Sequence, residues 1–111
     1  MESLNTETNL RQAARKILRC RALIRTEDGE IAQGKTMDIS LDGVCIVLER
    51  LIPDEQMCEL RFEIVANGQL HLFQAKARLI YCICTNFSYR AGFRFFELDP
   101  KQIEVIKKLG T

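Results

Sequence analysis

Two short segments of this 111-residue chain carry residue types that could do chemistry. The first contains Arg11 and Arg15, four positions apart in a basic N-terminal stretch. Arginine forms bidentate hydrogen bonds with phosphate oxygens and with guanine O6 and N7, and this spacing lets two guanidinium groups converge. Solvated surface arginines show the same spacing, so the pair alone is a weak indication of a site.

The second segment reads Asp38-Ile-Ser-Leu-Asp-Gly43, and 22 residues separate it from Arg15. Asp38 can accept from guanine N–H groups, Ser40 can donate to a phosphate or a base, and Gly43 permits a positive φ or close approach of a ligand. These residue types also form ordinary turns between strands, which is the alternative interpretation. Together the two segments supply the groups that bind a guanine nucleotide, with no group that would hydrolyse it.

Other reactive side chains form no recognisable site. His71 with the Cys82-x-Cys84 pair is a candidate metal site, but the paired C-x-x-C spacing of zinc sites is absent. An odd number of cysteines, most of them in apolar runs, favours buried core residues over disulfides. The cysteines are Cys20, Cys45, Cys58, Cys82 and Cys84. We therefore expect no metal, no cofactor and no enzymatic activity.

Charge is distributed unevenly along the chain. Residues 8–26 contain six basic residues and no acid, whereas the net charge of the whole chain is only +1. A basic segment on a mildly acidic body attracts small anions but lacks the broad basic face of a protein that binds nucleic acid polymers. No run is apolar and long enough to span a membrane, and the N-terminus does not resemble a signal peptide. We expect a cytoplasmic protein without membrane insertion.

The remaining pattern predicts about six short strands and one helix. We expect strands at residues 20–25, 31–37, 44–48, 57–65, 70–84 (as one bent strand or two) and 89–98, with residues 38–43 as a turn. Asp99-Pro100 marks the start of a helix over residues 100–109, which Gly110 ends. Residues 1–9 form a flexible tail, and residues 10–111 form one domain. Hairpin-linked strands of this length favour a small antiparallel barrel.

Taken in order, the two segments resemble the PilZ domain family. Its hallmark is R-x-x-x-R followed by [D/N]-x-S-x-x-G, which here correspond to Arg11, Arg15, Asp38, Ser40 and Gly43. The resemblance extends over about residues 8–109 and includes the glycine–aromatic strand Gly92-Phe-Arg-Phe-Phe96. It implies a six-stranded antiparallel β-barrel, the PilZ-like split barrel, and binding of the bacterial second messenger cyclic di-GMP by those five residues. In the family the arginines hold the phosphates.

The resemblance further implies a signalling protein. We expect a non-enzymatic receptor whose N-terminal loop changes conformation on binding cyclic di-GMP and passes the signal to a protein effector. One alternative is a PilZ-type adaptor for pilus or motility assembly that binds no ligand, and a second is a barrel that binds single-stranded nucleic acid. Leu10 stands where some family members have an arginine that helps to hold a second ligand molecule, so we expect one cyclic di-GMP per site.

Overall fold

A computed structural model describes residues 14–53 and 55–109, which form seven strands and one helix. The elements are β1 Lys16–Ile17, β2 Arg21–Arg25, β3 Ile31–Ile39, β4 Gly43–Leu48, β5 Met57–Ala66, β6 Gln69–Cys84, β7 Tyr89–Phe95 and α1 Pro100–Lys108. Strands β2 to β7 pair antiparallel in the order β3-β2-β5-β6-β7-β4, and β4 pairs back to β3 to close the barrel. The predicted six-stranded barrel with a C-terminal helix is confirmed, and β1 is an additional strand.

Alternation of apolar and polar residues places one face of each strand inside the barrel. In β5 every second side chain is buried, and these residues are Cys58, Leu60, Phe62, Ile64 and Ala66. The β5–β6 turn has positive φ at Asn67 (52°) and Gly68 (75°), which the predicted type I′ turn requires. Strand β4 is buried on both faces apart from half-buried Val47, as its continuous apolar run predicts.

Strand β3 continues further than its sequence pattern predicts. Its last residues, Asp38 and Ile39, pair with β1 on one side and with β4 on the other. The prediction that Asp38 lies in a turn is therefore wrong, because two neighbouring strands extend the ladder past Met37. The register with β4 shifts between Thr36 and Asp38, so the strand has a β-bulge there.

Strand β6 is one continuous 16-residue strand with a second bulge. The register with β7 shifts between Leu79 and Tyr81, which leaves Ile80 as the extra residue. Leu79 points into the core, whereas Ile80 and Tyr81 are both exposed. A bulge of this kind changes which residues of a strand face outward.

The helix α1 begins with the predicted cap. Asp99 Oδ1 accepts from Gln102 N at 2.8 Å, and Gln102 Oε1 accepts from Asp99 N at 3.1 Å, a capping box in front of Pro100. The helix ends at Lys108, one residue before the predicted end at residue 109, and residue 110 lies outside the described residues. Its buried face joins the core of the barrel through Val105, Ile106 and Leu109.

Candidate functional site

The two motifs meet on the outer wall of the barrel. Arg15 Nε donates to Asp38 Oδ1 at 2.9 Å, and Arg15 Nη2 donates to the same oxygen at 2.5 Å. The side chains are 49% and 33% exposed, so the ion pair is accessible to a ligand. Residues 23 positions apart in the sequence thus form one ion pair, and their role in binding a ligand stays a prediction. The other arginine of the first motif, Arg11, and Leu10 lie outside the described residues.

A buried hydroxyl fixes the segment that carries Arg15. Thr36 is fully buried on β3; its Oγ1 donates to Leu18 O at 2.6 Å and accepts from Cys20 N at 2.9 Å. Leu18 N in turn donates to Met37 O at 3.0 Å. These bonds hold the link between β1 and β2 against β3, which brings Arg15, just before β1, to Asp38.

Ser40 organises the turn that follows Asp38. Its side chain is completely buried, and Ser40 Oγ accepts from Asp42 N at 3.1 Å and from Gly43 N at 3.3 Å. Ser40 N also donates to Gly43 O at 2.8 Å. In this arrangement the hydroxyl caps backbone N–H groups of its own turn. A contact between Ser40 and a guanine stays a prediction.

Gly43 is required by the neighbouring strand. A Cβ atom at this position would lie 2.0 Å from Phe93 O and 3.1 Å from Phe93 C, both of which are backbone atoms of β7. The positive-φ glycines of the described residues are Gly29 and Gly68, so the backbone of Gly43 itself is one that other residues can adopt. The close approach of β4 and β7 therefore explains this glycine without any ligand.

A row of neighbouring residues that sequence reasoning missed begins at Asp38. Asp38 pairs with Cys45, Cys45 with Gly92, and Gly92 with Tyr81, so these four residues form one row across four strands. Burial raises the pKa of the Cys45 thiol, Asp38 raises it further, and Arg90 opposes the shift. No local sequence pattern predicts this row, because it depends on the register between strands. The bulges in β3 and β6 change that register.

Tyr81 and Cys45 lie in the same row, on either side of Gly92. Burial is the main cause that raises the pKa of Tyr81, and the Cys45 thiol raises it further. Arg15 and Arg90 lower the pKa of Tyr81, because positive charge favours its ionised form. The polar site therefore continues from Arg15 and Asp38 toward an aromatic ring.

Arg94 also reaches the outer wall, where it is exposed. It lies in register with Gly43 on β4 and Arg78 on β6. An outward, solvated side chain is what the alternation with Phe93 and Phe95 predicts. No described ion pair or hydrogen bond of the Arg94 side chain links it to the Arg15–Asp38 pair.

The alternative metal site does not assemble. His71 and Cys82 are eleven residues apart on the same strand, about 36 Å along an extended chain. Within residues 14–53 and 55–109 no three His, Cys, Asp or Glu side chains are grouped to hold a metal ion. The five cysteines are free: Cys45 and Cys58 are buried, Cys20 and Cys82 are half-buried, and Cys84 is exposed, which differs from the predicted core position. Burial, with Glu27, raises the pKa of Cys58 to about 11.

The aromatic residues divide between the core and the surface. Phe62, Phe73, Phe93 and Phe95 are buried, and the Phe62 and Phe73 rings stack in the core with centroids 4.7 Å apart. Tyr81, Phe87 and Phe96 are exposed. Among the described helices, none has the length and apolar character to cross a membrane.

These features define a small β-barrel domain with a polar site on its outer wall. The sequence matches the PilZ domain family over residues 9–109, and the chain belongs to that family. None of the curated proteins is significantly similar to the chain in sequence.

Three solved structures show the same fold. The Bacillus subtilis inhibitor of motility MotI/DgrA superposes with a TM-score of 0.76 at 14% identity over 87% of this chain, which spans 48% of that protein. The PilZ domain of Escherichia coli YcgR, a structure with c-di-GMP, gives 0.69 at 20% identity over 88% of this chain and 86% of that domain. Borreliella burgdorferi PlzA, in complex with c-di-GMP, gives 0.56 at 11% identity, covering 96% and 54%. Identities this low establish the fold alone.

Proposed function

We propose that this protein is a cytoplasmic receptor for cyclic di-GMP, without enzymatic activity, that signals to a protein effector. The observation that carries the proposal is the meeting of Arg15 and Asp38 on the outer wall, directly before the buried Ser40–Gly43 turn. The ligand is a dianion with two guanines, so it needs guanidinium forks for phosphate and a carboxylate for guanine N–H groups. The similarity to PilZ domains that were solved with c-di-GMP supports the same ligand.

Binding would exchange the ion pair for contacts with the ligand. In the free protein Arg15 and Asp38 occupy each other, and both side chains are substantially exposed. Exposed pairs contribute only about 0.2–1 kcal/mol, whereas hydrogen bonds to charged groups contribute about 1.5–3 kcal/mol. Arg15 would turn its guanidinium to a phosphate, and Asp38 would accept from guanine. Arg11, Ser40 and Gly43 are the other proposed ligand-binding residues, with one cyclic di-GMP per site.

The next residue provides a route for the signal. Lys16 Nζ donates to Ile106 O at 3.0 Å and to Lys107 O at 2.7 Å, at the C-terminal end of α1. A change of conformation in the N-terminal loop that moves Arg15 would also move Lys16 on β1. We therefore propose that binding changes both the N-terminal loop and the end of the helix, where an effector would recognise the difference.

Isothermal titration calorimetry with cyclic di-GMP tests the proposal. Arg15→Ala should lower affinity by about ten- to a hundred-fold, because one charge-assisted contact is lost. Arg25→Ala is the matched control, since Arg25 forms a comparable exposed pair with Glu59 at 3.7 Å on β2 and β5. It should bind like the wild type.

Absence of binding by the wild type would contradict the receptor function and favour the ligand-free adaptor. Hydrogen exchange of residues 8–19 tests the conformational step separately. Protection of that segment should increase with ligand. Unchanged protection together with normal binding would leave the receptor function intact and reject the N-terminal signal.

A further inference from the structure

The hairpin of β5 and β6 extends beyond the strands on either side of it. Pairing with β2 ends at Phe62 on β5, and pairing with β7 begins at Ala77 on β6. In the part of the chain that the structure describes, residues 69–75 of β6 therefore have β5 as their single strand neighbour. The other side of this segment is an edge of the sheet, which we call the β6 edge.

The backbone of the β6 edge presents hydrogen-bonding groups to its open side. Lys76 O accepts from Phe96 N at 2.9 Å, so the backbone groups of Lys76 point away from β5. Because these groups change sides at each residue of a strand, those of Gln74, Leu72 and Leu70 point the same way. Gln74 O already accepts from a side chain of α1. The N–H and C=O groups of Leu70 and Leu72 are therefore available to another strand.

The side chains on the outer face of the β6 edge are apolar and exposed. Leu70 is 64% exposed and Leu72 is 58% exposed, and Leu70 pairs with Val65 of β5, which is 65% exposed. Residues 64–75 contain no Asp, Glu, Lys or Arg, although 28% of the whole chain is charged. Edge strands are commonly protected from pairing with another chain by charged side chains or proline. The β6 edge has neither form of protection.

The β6 edge is complementary to a second copy of itself. In an antiparallel pair centred on His71, Leu70 of each copy lies opposite Leu72 of the other. Such opposite residues exchange both N–H···O=C bonds, so every available backbone group of the two leucines gains a partner. A pair centred on Leu70 would instead set Leu72 against the turn at Gly68. A pair centred on Leu72 would set Leu70 against Gln74, whose carbonyl α1 already binds.

We propose that two copies of this protein associate through the β6 edge, with His71 at the two-fold axis, and that their hairpins form one antiparallel sheet. Leu70, Leu72 and Val65 of both copies then make one apolar cluster on the outer face of that sheet. Glu63, which lies opposite Leu72 on β5, stays at the margin of the cluster. Both copies use the same residues, so the contact closes at a dimer. It involves no ligand and none of the proposed ligand-binding residues.

Sedimentation equilibrium of the full chain tests the dimer. A contact confined to one hairpin buries less than the roughly 1,200 Å² of a stable interface, so the dimer should be weak. The average mass should rise from monomer below about 10 μM toward dimer near about 1 mM. Leu70→Glu and Leu72→Lys should each stay monomeric, because each sets a charge against an apolar side chain. Ile83→Glu is the matched control and should associate like the wild type, since Ile83 is 52% exposed where β7 covers β6.

The double variant Leu70→Glu/Leu72→Lys tests the register. Position 70 of one copy faces position 72 of the other, so the double variant gains an opposite-charge pair at both places. At low salt it should associate at least about three-fold more tightly than either single variant. Circular dichroism shows whether each variant is folded.

Amide exchange of the wild type locates the contact without any substitution. Raising the protein concentration should slow exchange of the Leu70 and Leu72 N–H groups, because both become hydrogen-bonded in the dimer. The His71 N–H group points toward its partner Ile64 on β5, so its exchange should change much less.

Several outcomes would overturn the proposed dimer. A wild type that is still monomeric near about 1 mM would do so, as would a dimer in which exchange at Leu70 and Leu72 does not slow. Association beyond the dimer would contradict a closed two-fold contact. A folded double variant that associates no better than the single variants would reject the pairing about His71. If the charged variants do not fold, amide exchange of the wild type decides.

Discussion

The two ends of the second motif are built in opposite ways. Asp38, at its start, is a third exposed and is held by one ion pair with Arg15. Ser40 and Gly43, at its end, are buried, and they are held by hydrogen bonds within the turn and by the backbone of β7. Residues that lie five positions apart therefore differ in what they contribute. The exposed end is available to a ligand, and the buried end shapes the wall that presents it.

This difference predicts a separation between stability and binding. An exposed ion pair contributes little to the free energy of unfolding, since water and salt screen it. A buried turn contributes more, because its N–H groups lose their partners when the hydroxyl is removed. Substitutions at the exposed end should therefore reduce affinity alone, while substitutions at the buried end should first reduce stability.

The strongest test of the buried end is Gly43→Ala. The added Cβ would lie 2.0 Å from Phe93 O, a backbone atom that can move only if β4 and β7 separate. We expect a loss of at least about 3 kcal/mol in the free energy of unfolding, measured by urea denaturation.

Gly92→Ala is the matched control for Gly43→Ala. Its Cβ would meet the Tyr81 ring at 2.3 Å, and a side chain on the surface can rotate away. We expect a smaller loss of stability, about 1–2 kcal/mol. Equal losses at the two glycines would show that the approach of β7 does not dictate the residue at position 43.

The exposed end is tested by Asp38→Ala. Removing the carboxylate takes away the proposed acceptor for guanine, so affinity for cyclic di-GMP should fall by about 1.5–3 kcal/mol, while the free energy of unfolding changes by less than about 1 kcal/mol. Glu59→Ala removes the acid of another exposed pair, Arg25–Glu59, and should change neither quantity appreciably. A large loss of stability in Asp38→Ala would contradict the division between the two ends.

Ser40→Ala should mainly affect stability. Two backbone N–H groups, those of Asp42 and Gly43, lose their acceptor, which should cost about 1–2 kcal/mol in the free energy of unfolding. Ser88→Ala is the control, because its hydroxyl meets Thr85 Oγ1 at 3.0 Å in an exposed hairpin. It should cost less than about 0.5 kcal/mol. If Ser40→Ala folds with full stability but binds poorly, Ser40 contacts the ligand directly, as the motif alone suggests.

The same contrast explains how far the sequence could predict the site. Arg15 and Asp38 were recognisable because their chemistry depends on residue type and spacing. The position of Asp38 on a strand was not, because β1 has only two residues and no periodicity of its own. Tyr81 was missed for a related reason: its place beside Cys45 depends on a bulge at Ile80 and on pairing between strands far apart in sequence. Local patterns predict elements, while register emerges only when the barrel closes.

The smallest expected effect concerns Lys16, which follows Arg15 in the sequence and contacts the end of α1. Lys16→Met removes the cation from the last carbonyls of α1, where it satisfies Ile106 O and Lys107 O and opposes the negative end of the helix dipole. We expect a loss of about 0.3–1 kcal/mol, seen as faster amide exchange in the last turn of α1. Lys101→Met, in the first turn, removes a cation from the positive end of the dipole and should stabilise the helix slightly or leave it unchanged.

The informative comparison is between Lys16→Met and the wild type with cyclic di-GMP bound. If Lys16 couples the ligand site to the helix, binding should change exchange at the end of α1 in the wild type, and Lys16→Met should reduce that change while retaining affinity. An identical change in both proteins would show that the coupling does not pass through the Lys16 hydrogen bonds to Ile106 O and Lys107 O. No change in either protein would show that the ligand site and the end of the helix are independent, and an effector would then have to recognise a change elsewhere in the protein.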